Sequence, residues 1–162
     1  MRYSERITTM QSSPIRKLAH IASSAKAKGI KIYHLNIGQP DIKTPKVFFE
    51  AVKNFNNEVL EYAVSPGLPE LISSLQQYYT TYNMDFESDE ILVTNGGSEA
   101  LLFALMATCD PKDNILVPEP FYSNYNGFSQ SINVNITPIT TKAEEGFHLP
   151  SKEKIQSLIT SK

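Results

Sequence analysis

The stretch ILVTNGGSEALLFAL, residues 91–105, decides the fold class of this chain. It opens with a short apolar run, residues 91–94, which is typical of a strand covered on both faces. Two glycines follow, and the apolar sequence after them predicts a helix over residues 100–108. A buried strand that turns through glycines into a helix is characteristic of α/β proteins.

The sequence that follows continues the same alternation. Residues 115–117 predict a second buried strand, residues 122–131 a helix, and residues 133–139 a third strand, in which Pro138 marks an edge or the strand end. Ser151 is positioned to cap a last helix. Because strands and helices alternate from residue 91 onwards, we expect a parallel sheet with helices on both faces.

Upstream of residue 91, helices and loops dominate. Helices are expected over residues 13–29, 45–57 and 69–82, on the basis of apolar residues at helical spacing and of Pro and Gly at their ends. Residues 30–37 alternate weakly and predict a short strand. Residues 38–45 form a loop, in which a glycine permits unusual dihedral angles.

The composition is that of a globular protein, with 41% hydrophobic and 20% charged residues in a chain of 162. The net charge of −2 gives no general attraction to nucleic acid. No apolar run reaches the roughly 20 residues of a membrane span, and the N-terminus lacks the apolar stretch of a signal peptide. The single cysteine, Cys109, excludes an intrachain disulfide, and no His, Cys or Asp spacing indicates a metal site. We therefore expect a cytoplasmic protein without a metal.

The turn Asn95–Glu99 predicts an anion site. A helix start presents unpaired backbone N–H groups at the positive end of the helix dipole, glycines let a ligand approach the backbone, and Ser98 adds a hydroxyl. The Gly-Lys-Ser/Thr ending of a nucleotide P-loop is absent. Taken alone, the same turn is equally compatible with a tight packing turn that binds nothing.

Three further segments accompany this turn: LNIGQPDIKTP (35–45), YAVSPGLPEL (62–71) and VPEPFYSNY (117–125). The last of them places an aromatic residue beyond the carboxyl end of a strand, where ligands bind in open α/β sheets. In this order and spacing, the four segments resemble the N-terminal part of class I/II aminotransferases, which are pyridoxal-phosphate enzymes of the aspartate aminotransferase fold. The likeness covers about residues 5–162.

The resemblance implies cofactor-binding roles for five residues. Gly97, Ser98 and Glu99 match the turn that holds the phosphate of pyridoxal 5'-phosphate, and Tyr122 matches the aromatic residue that stacks on its pyridine ring. Tyr62 matches the tyrosine that reaches the cofactor phosphate of the neighbouring subunit, which implies a homodimer. The alternatives are that Tyr122 fills the core and that Tyr62 is a surface or interface residue.

The resemblance also implies which residues contact the substrate, and which catalytic residues of the family this chain does not contain. Gly38 matches the glycine of a mobile loop over the substrate carboxylate, and Ile37 flanks the substrate. In the family, the lysine that forms the Schiff base, the Asp on the pyridine nitrogen and the substrate-binding Arg all come later, and no arginine follows Arg16 here. Lys152 lies in a predicted helix cap and does not match that lysine. We therefore expect the catalytic lysine beyond Lys162 and an inactive fragment with no catalytic residue of its own.

The predicted fold is α/β, an incomplete fold-type-I pyridoxal-phosphate transferase large domain with three of about seven mostly parallel strands, together with the N-terminal segment of the small domain. Residues 1–44 are assigned to an N-terminal arm and part of the small domain, and residues 45–162 to the truncated large domain. The predicted function is amino transfer between an amino acid and a 2-oxo acid in the complete enzyme. A related pyridoxal-phosphate lyase or synthase, or a non-catalytic module that binds the cofactor or phosphate, remain alternatives.

Overall fold

The structure, a computed structural model, describes residues 2–11 and 16–161. Its helices and strands are α1 (Glu5–Thr9), α2 (Ala19–Ala27), α3 (Lys46–Lys53), α4 (Pro69–Thr80), α5 (Gly97–Thr108), β1 (Asn114–Glu119), α6 (Asn124–Ser131), β2 (Asn135–Thr140) and α7 (Lys152–Gln156). Short 3-10 turns lie at Ser88–Glu90 and Ala143–Glu145. Within the described residues, no helix is long and apolar enough to cross a membrane.

These residues form two compact units. The first comprises the described residues up to Asn36 together with those from Asn95 onwards, and the second comprises Ile37–Thr94. The first unit contains both strands and α5, α6 and α7, whereas the second contains α3 and α4. The division into residues 1–44 and 45–162 stays a prediction, because it refers to the domains of a longer enzyme.

The first unit is built around a βαβ motif. β1 and β2 pair in parallel, with Asn114 opposite Asn135 and Glu119 opposite Thr140, and α6 connects them. The buried core of this motif consists of Val117 on β1, Val134 just before β2 and Ile139 on β2. The predicted parallel α/β arrangement is confirmed.

The sheet has two strands among the described residues, not the three that the sequence predicted. The apolar run Ile91–Thr94 is not a strand: the backbone N–H of Val93 donates to the carbonyl oxygen of Pro66 at 2.8 Å, so the run packs against a turn. Residues 30–37 form no strand either, and Leu35 is 97% exposed. Both segments have the apolar residues of a strand, but within residues 2–11 and 16–161 neither has a neighbouring strand with which to pair.

Several helix boundaries also differ from the prediction. α5 begins at Gly97, three residues before the predicted start, because Gly96 adopts a φ of 82° and ends the preceding loop. α6 begins at Asn124 and not at Tyr122. The end of the predicted helix 13–29 is confirmed by α2, whereas its proposed cap at residues 13 and 14 lies outside the described residues. The short helix α1 was not predicted.

In the second unit, a glycine permits close packing between two loops. Gly67 has a φ of +123°, and a Cβ atom placed on it would lie 2.5 Å from Cγ2 of Val93. The close approach of Gly67 to Val93 and the hydrogen bond from Val93 to Pro66 hold residues 91–94 against the turn at Pro66 and Gly67. Ile72 on α4 is the buried hydrophobic residue of this unit among the described residues.

Helix α5 is apolar on all sides, which is typical of a helix covered on every face. In the described chain, however, it has no buried residue, and Phe103 and Met106 are 44% and 58% exposed. Helix α3 likewise has no buried residue, although its apolar side chains lie on one face. The described chain therefore leaves large apolar surfaces in contact with solvent.

Candidate ligand site at the start of helix α5

The start of α5 is an open, glycine-capped helix end. Gly96 occupies the N-cap position of the helix, and because glycine has no side chain, the first turn receives no capping hydrogen bond from a side chain there. A Cβ atom built on Gly96 or Gly97 would meet no other atom within 4 Å. Gly97, Ser98 and Glu99 form the first turn, where N–H groups lack acceptors within the helix. This helix end can therefore receive an anion at its backbone.

The acidic residue in this turn has its side chain engaged elsewhere. Oε2 of Glu99 accepts a hydrogen bond of 2.6 Å from the backbone N–H of Asn95, one residue before the cap. A carboxylate near a helix N-terminus also interacts favourably with the helix dipole. The role of the Glu99 backbone toward an anion stays a prediction.

The turn between β1 and α6 presents an aromatic ring. Tyr122 follows the carboxyl end of β1, and its side chain is 50% exposed. Its carbonyl oxygen accepts a hydrogen bond of 3.0 Å from the backbone N–H of Tyr125. Its hydroxyl oxygen accepts one of 2.6 Å from the Asn124 side-chain amide. The Tyr122 ring is therefore half-exposed within the described residues.

The same turn is tied to the sheet and to α6. The Thr141 hydroxyl donates to the carbonyl oxygen of Glu119, and the Thr140 hydroxyl donates to the Glu119 carboxylate at 2.9 Å. The ring of Phe121 packs edge-on against that of Tyr125, with 6.3 Å between centroids. The backbone that carries the exposed ring is thus anchored on both sides.

The order of elements in the first unit relates the start of α5 and the Tyr122 turn to the sheet. α5 runs into β1 through residues 109–113, and β1 ends at Glu119. In α/β units of this kind, a helix begins at the end of the sheet where the neighbouring strand finishes. By this rule we expect the start of α5 and the Tyr122 ring to lie at the carboxyl edge of the sheet, the edge at which ligands bind in open α/β sheets.

The other three predicted site residues lie in the second unit. Ile37 is half-exposed, Gly38 is exposed, and the Gln39 N–H donates to the Ile37 carbonyl at 3.0 Å, which closes a tight turn at Gly38. Gly38 is not among the described glycines with positive φ, so the unusual dihedral angle expected of it is not present. Tyr62 is fully exposed, which leaves its surface or interface role open.

Sequence reasoning missed the residues that hold the Tyr122 turn. Asn124 and Thr141 were not singled out, and their only sequence signal is a polar side chain close to the turn or to a strand end. Elsewhere in the described residues, no group of three or more His, Cys, Asp or Glu side chains is arranged to hold a metal ion. An open polar groove of about 470 Å³ lies between α1 and α6, lined by Glu5, Arg6, Thr9, Gln130 and Asn133.

The chain is similar in sequence to known aminotransferases. The family model for aminotransferase class I and II matches residues 30–161. A probable aspartate aminotransferase of Methanocaldococcus jannaschii is 32% identical over 161 residues, which are 98% of this chain and 40% of that protein. The chain therefore spans about two-fifths of the length of this curated relative.

Solved structures show the same likeness in three dimensions. The aspartate aminotransferase of Rhizobium meliloti superposes with a TM-score of 0.89 at 28% identity, over 99% of this chain and 40% of that one. An alanine aminotransferase of Pyrococcus furiosus gives a TM-score of 0.84 at 32% identity, over 98% of this chain and 41% of that one. The fold of the chain is thus a portion of the fold of these enzymes.

Proposed function

Because the chain belongs to the class I and II aminotransferases, whose members depend on pyridoxal 5'-phosphate, we propose that it forms the part of such an enzyme that holds the cofactor's phosphate and ring. The complete enzyme would move an amino group between an amino acid and a 2-oxo acid. The observation that carries this proposal is the open, glycine-capped start of α5, which lies in the same unit as the half-exposed ring of Tyr122.

The start of α5 fits the phosphate group. The N–H groups of Gly97, Ser98 and Glu99 lie in the first turn, the Ser98 hydroxyl adds a donor, and glycine at position 96 leaves the approach open. The engagement of the Glu99 carboxylate with the Asn95 N–H keeps that negative charge in a defined position. Several donors directed at one anion give short, charge-assisted hydrogen bonds.

The ring of Tyr122 fits the pyridine ring. An aromatic face attracts a flat cationic ring, and offset stacking of two rings adds to the burial of apolar area. When bound, pyridoxal 5'-phosphate supplies an electron sink for the bonds that change at the substrate's α-carbon. The contribution of this chain to that chemistry is to bind and orient the cofactor, with Tyr122 excluding water from one face of the ring.

The remaining assignments complete the proposal. Tyr62, which is fully exposed, would reach the phosphate of the cofactor in a neighbouring subunit of a homodimer. Gly38 and Ile37 would lie over the substrate carboxylate, and the enzyme would act in the cytoplasm. The lysine that carries the cofactor is assigned to sequence after Lys162, so amino transfer is not proposed for the 162-residue chain by itself.

The test is a binding measurement with pyridoxamine 5'-phosphate. This compound has the phosphate and the ring but no aldehyde, so it cannot react with the chain's many lysines. Gly97→Pro removes one N–H at the first helical position, where proline is tolerated, and Ser98→Ala removes only the hydroxyl. We expect Gly97→Pro to weaken binding by about tenfold and Ser98→Ala by about two- to fivefold.

The matched control is Ser73→Ala, which removes a hydroxyl from an exposed position of α4 in the other unit. Its affinity should equal that of the unaltered chain, and the circular dichroism of all three variants should be unchanged. The proposal is wrong if calorimetry detects no binding, or if the two α5 variants bind as tightly as the control.

A further inference from the structure

We infer that Asn124 is a positioning residue, which fixes the ring of Tyr122 in the orientation that stacking on a cofactor ring requires. The placement of the ring is inferred from the hydrogen bond between the two side chains, without reference to any ligand. The consequence for cofactor binding rests on the proposed function.

This inference rests on the hydrogen bond of 2.6 Å from the Asn124 side-chain amide to the Tyr122 hydroxyl. Asn124 follows Tyr122 by two residues and is the first residue of α6. Its side chain is therefore attached to a regular element, whereas Tyr122 lies in the turn before that element. Asn124 is also less exposed than the ring that it holds.

The backbone of Tyr122 is held separately from its ring. The Tyr122 carbonyl accepts a hydrogen bond from Tyr125, and the Glu119 carbonyl accepts one from the Thr141 hydroxyl. These bonds fix where the side chain begins, but the ring still rotates about two side-chain torsions. A bond at the hydroxyl, the far end of the ring, restrains the torsion χ1 directly, and it favours one ring orientation about χ2 because a phenol oxygen accepts hydrogen bonds near the plane of its ring.

A half-exposed ring without this bond would sample other rotamers and would have to be ordered when a ligand stacks on it. Ordering one mobile side chain weakens binding by about two- to tenfold. Asn124 thus acts through Tyr122 by preorganisation, and it needs no contact with the ligand. Tyr122→Phe should have the same effect as the loss of the amide, because it keeps the ring and removes the acceptor.

A purely structural role of Asn124 at the start of α6 predicts something different. In that case, Asn124→Ala would have the same effect whether residue 122 is Tyr or Phe. If Asn124 acts through the phenol, the effect of Asn124→Ala disappears in the Tyr122→Phe background. Asn126→Ala is the matched control, since it removes the same kind of side chain two residues further along α6.

The first experiment needs no ligand. Carbon-13 labelling of the tyrosine ζ-carbon gives one resonance per tyrosine, and the Tyr122 resonance is the one absent from Tyr122→Phe. We expect Asn124→Ala to shift this resonance and Asn126→Ala to leave it in place. Asn124→Asp, which can accept a hydrogen bond from the phenol, serves as a second variant should Asn124→Ala unfold, and it should keep the ring ordered.

The second experiment measures the affinity for pyridoxamine 5'-phosphate. Asn124→Ala, Tyr122→Phe and the double variant should each bind about two- to tenfold more weakly than the unaltered chain, with no further loss in the double variant. An unshifted Tyr122 resonance, or additive losses in the double variant, would overturn the inference. A shifted resonance in a chain that does not bind the compound would refute the proposed function and leave the placement of the ring intact.

Discussion

The Glu99 carboxylate and the Asn95 backbone are joined by a hydrogen bond of 2.6 Å that closes the loop leading into α5. Gly96 lies between them and has no side chain with which to cap the helix. Glu99 therefore reaches back from the first turn as the acidic residue of a capping box does, with the residue before the cap as its donor. Among the described residues, no atom beyond the adjoining residues lies within 4 Å of the Cβ positions of Gly96 and Gly97, which leaves room for an anion to approach the first turn.

Removal of this carboxylate should loosen the start of α5. We expect Glu99→Ala to lower the free energy of unfolding by about 1 kcal/mol, because a backbone donor loses its acceptor and the helix dipole loses a favourable charge. Glu99→Gln, which keeps an oxygen acceptor, should lower the free energy of unfolding by less. Urea denaturation measures both. Glu50→Ala, in exposed helix α3, is the control and should change stability by less than about 0.5 kcal/mol.

Gly67 should tolerate no side chain. At a φ of +123°, an added Cβ would lie 2.5 Å from Cγ2 of Val93, so we expect Gly67→Ala to destabilise the second unit by roughly 1–3 kcal/mol. Gly127→Ala, in α6 with no atom within 4 Å of the added Cβ, should instead stabilise by about 0.5–1 kcal/mol. Val93→Gly, which removes the Val93 Cβ atom 2.7 Å away as well as Cγ2, should recover part of the loss in a double variant. Equal effects of the two alanine substitutions would contradict this packing.

The exposed side of α5 should make the 162-residue chain self-associate. Phe103 and Met106 present apolar surface on a helix that has no buried residue. We expect Met106→Glu to lower the association measured by sedimentation without loss of helical content, since this side chain is 58% exposed. Gln77→Glu, which adds the same charge on α4, is the control. Unchanged association in Met106→Glu would exclude α5 as the cause.

Tyr78 and Tyr82 give a pH-dependent signal for the second unit. The Tyr78 hydroxyl donates to that of Tyr82 at 3.3 Å, and this bond, followed by desolvation and by the charge of Tyr79, raises the Tyr78 pKa above 10.0. Because the folded-state pKa is raised, the stabilisation is complete below pH 10.0, the ordinary value, and is lost as the pH rises through the folded-state pKa. Tyr82→Phe should lower the Tyr78 pKa, as read by an NMR titration. An unchanged pKa would show that the hydrogen bond is not its cause.

The sequence predicts those features of the chain that depend on neighbouring residues. Ser151 caps α7 by accepting a hydrogen bond from the Lys154 N–H, and the parallel pairing of β1 and β2 follows from the helix between them. Gly96 marks the helix start because the backbone there adopts a positive φ of 82°.

Of two features that were missed, one depends on a distant partner and the other on the local placement of side chains. The run at 91–94 has strand composition, but its backbone bonds to Pro66, and no local pattern specifies that partner. The pairing of Asn124 with Tyr122 depends on where the turn places a ring relative to a helix start. The roles of Gly97, Ser98, Glu99 and Tyr122 toward a ligand stay predictions until binding is measured.

The central claim is that α5 holds the phosphate of a pyridoxal-type cofactor. Titration of the unaltered chain with pyridoxamine 5'-phosphate and with pyridoxamine, which differ only in the phosphate, tests it most directly. We expect the phosphorylated compound to bind at one site per chain and at least about tenfold more tightly, with inorganic phosphate as a competitor. Equal affinities for the two compounds, or no binding of either, would contradict the claim.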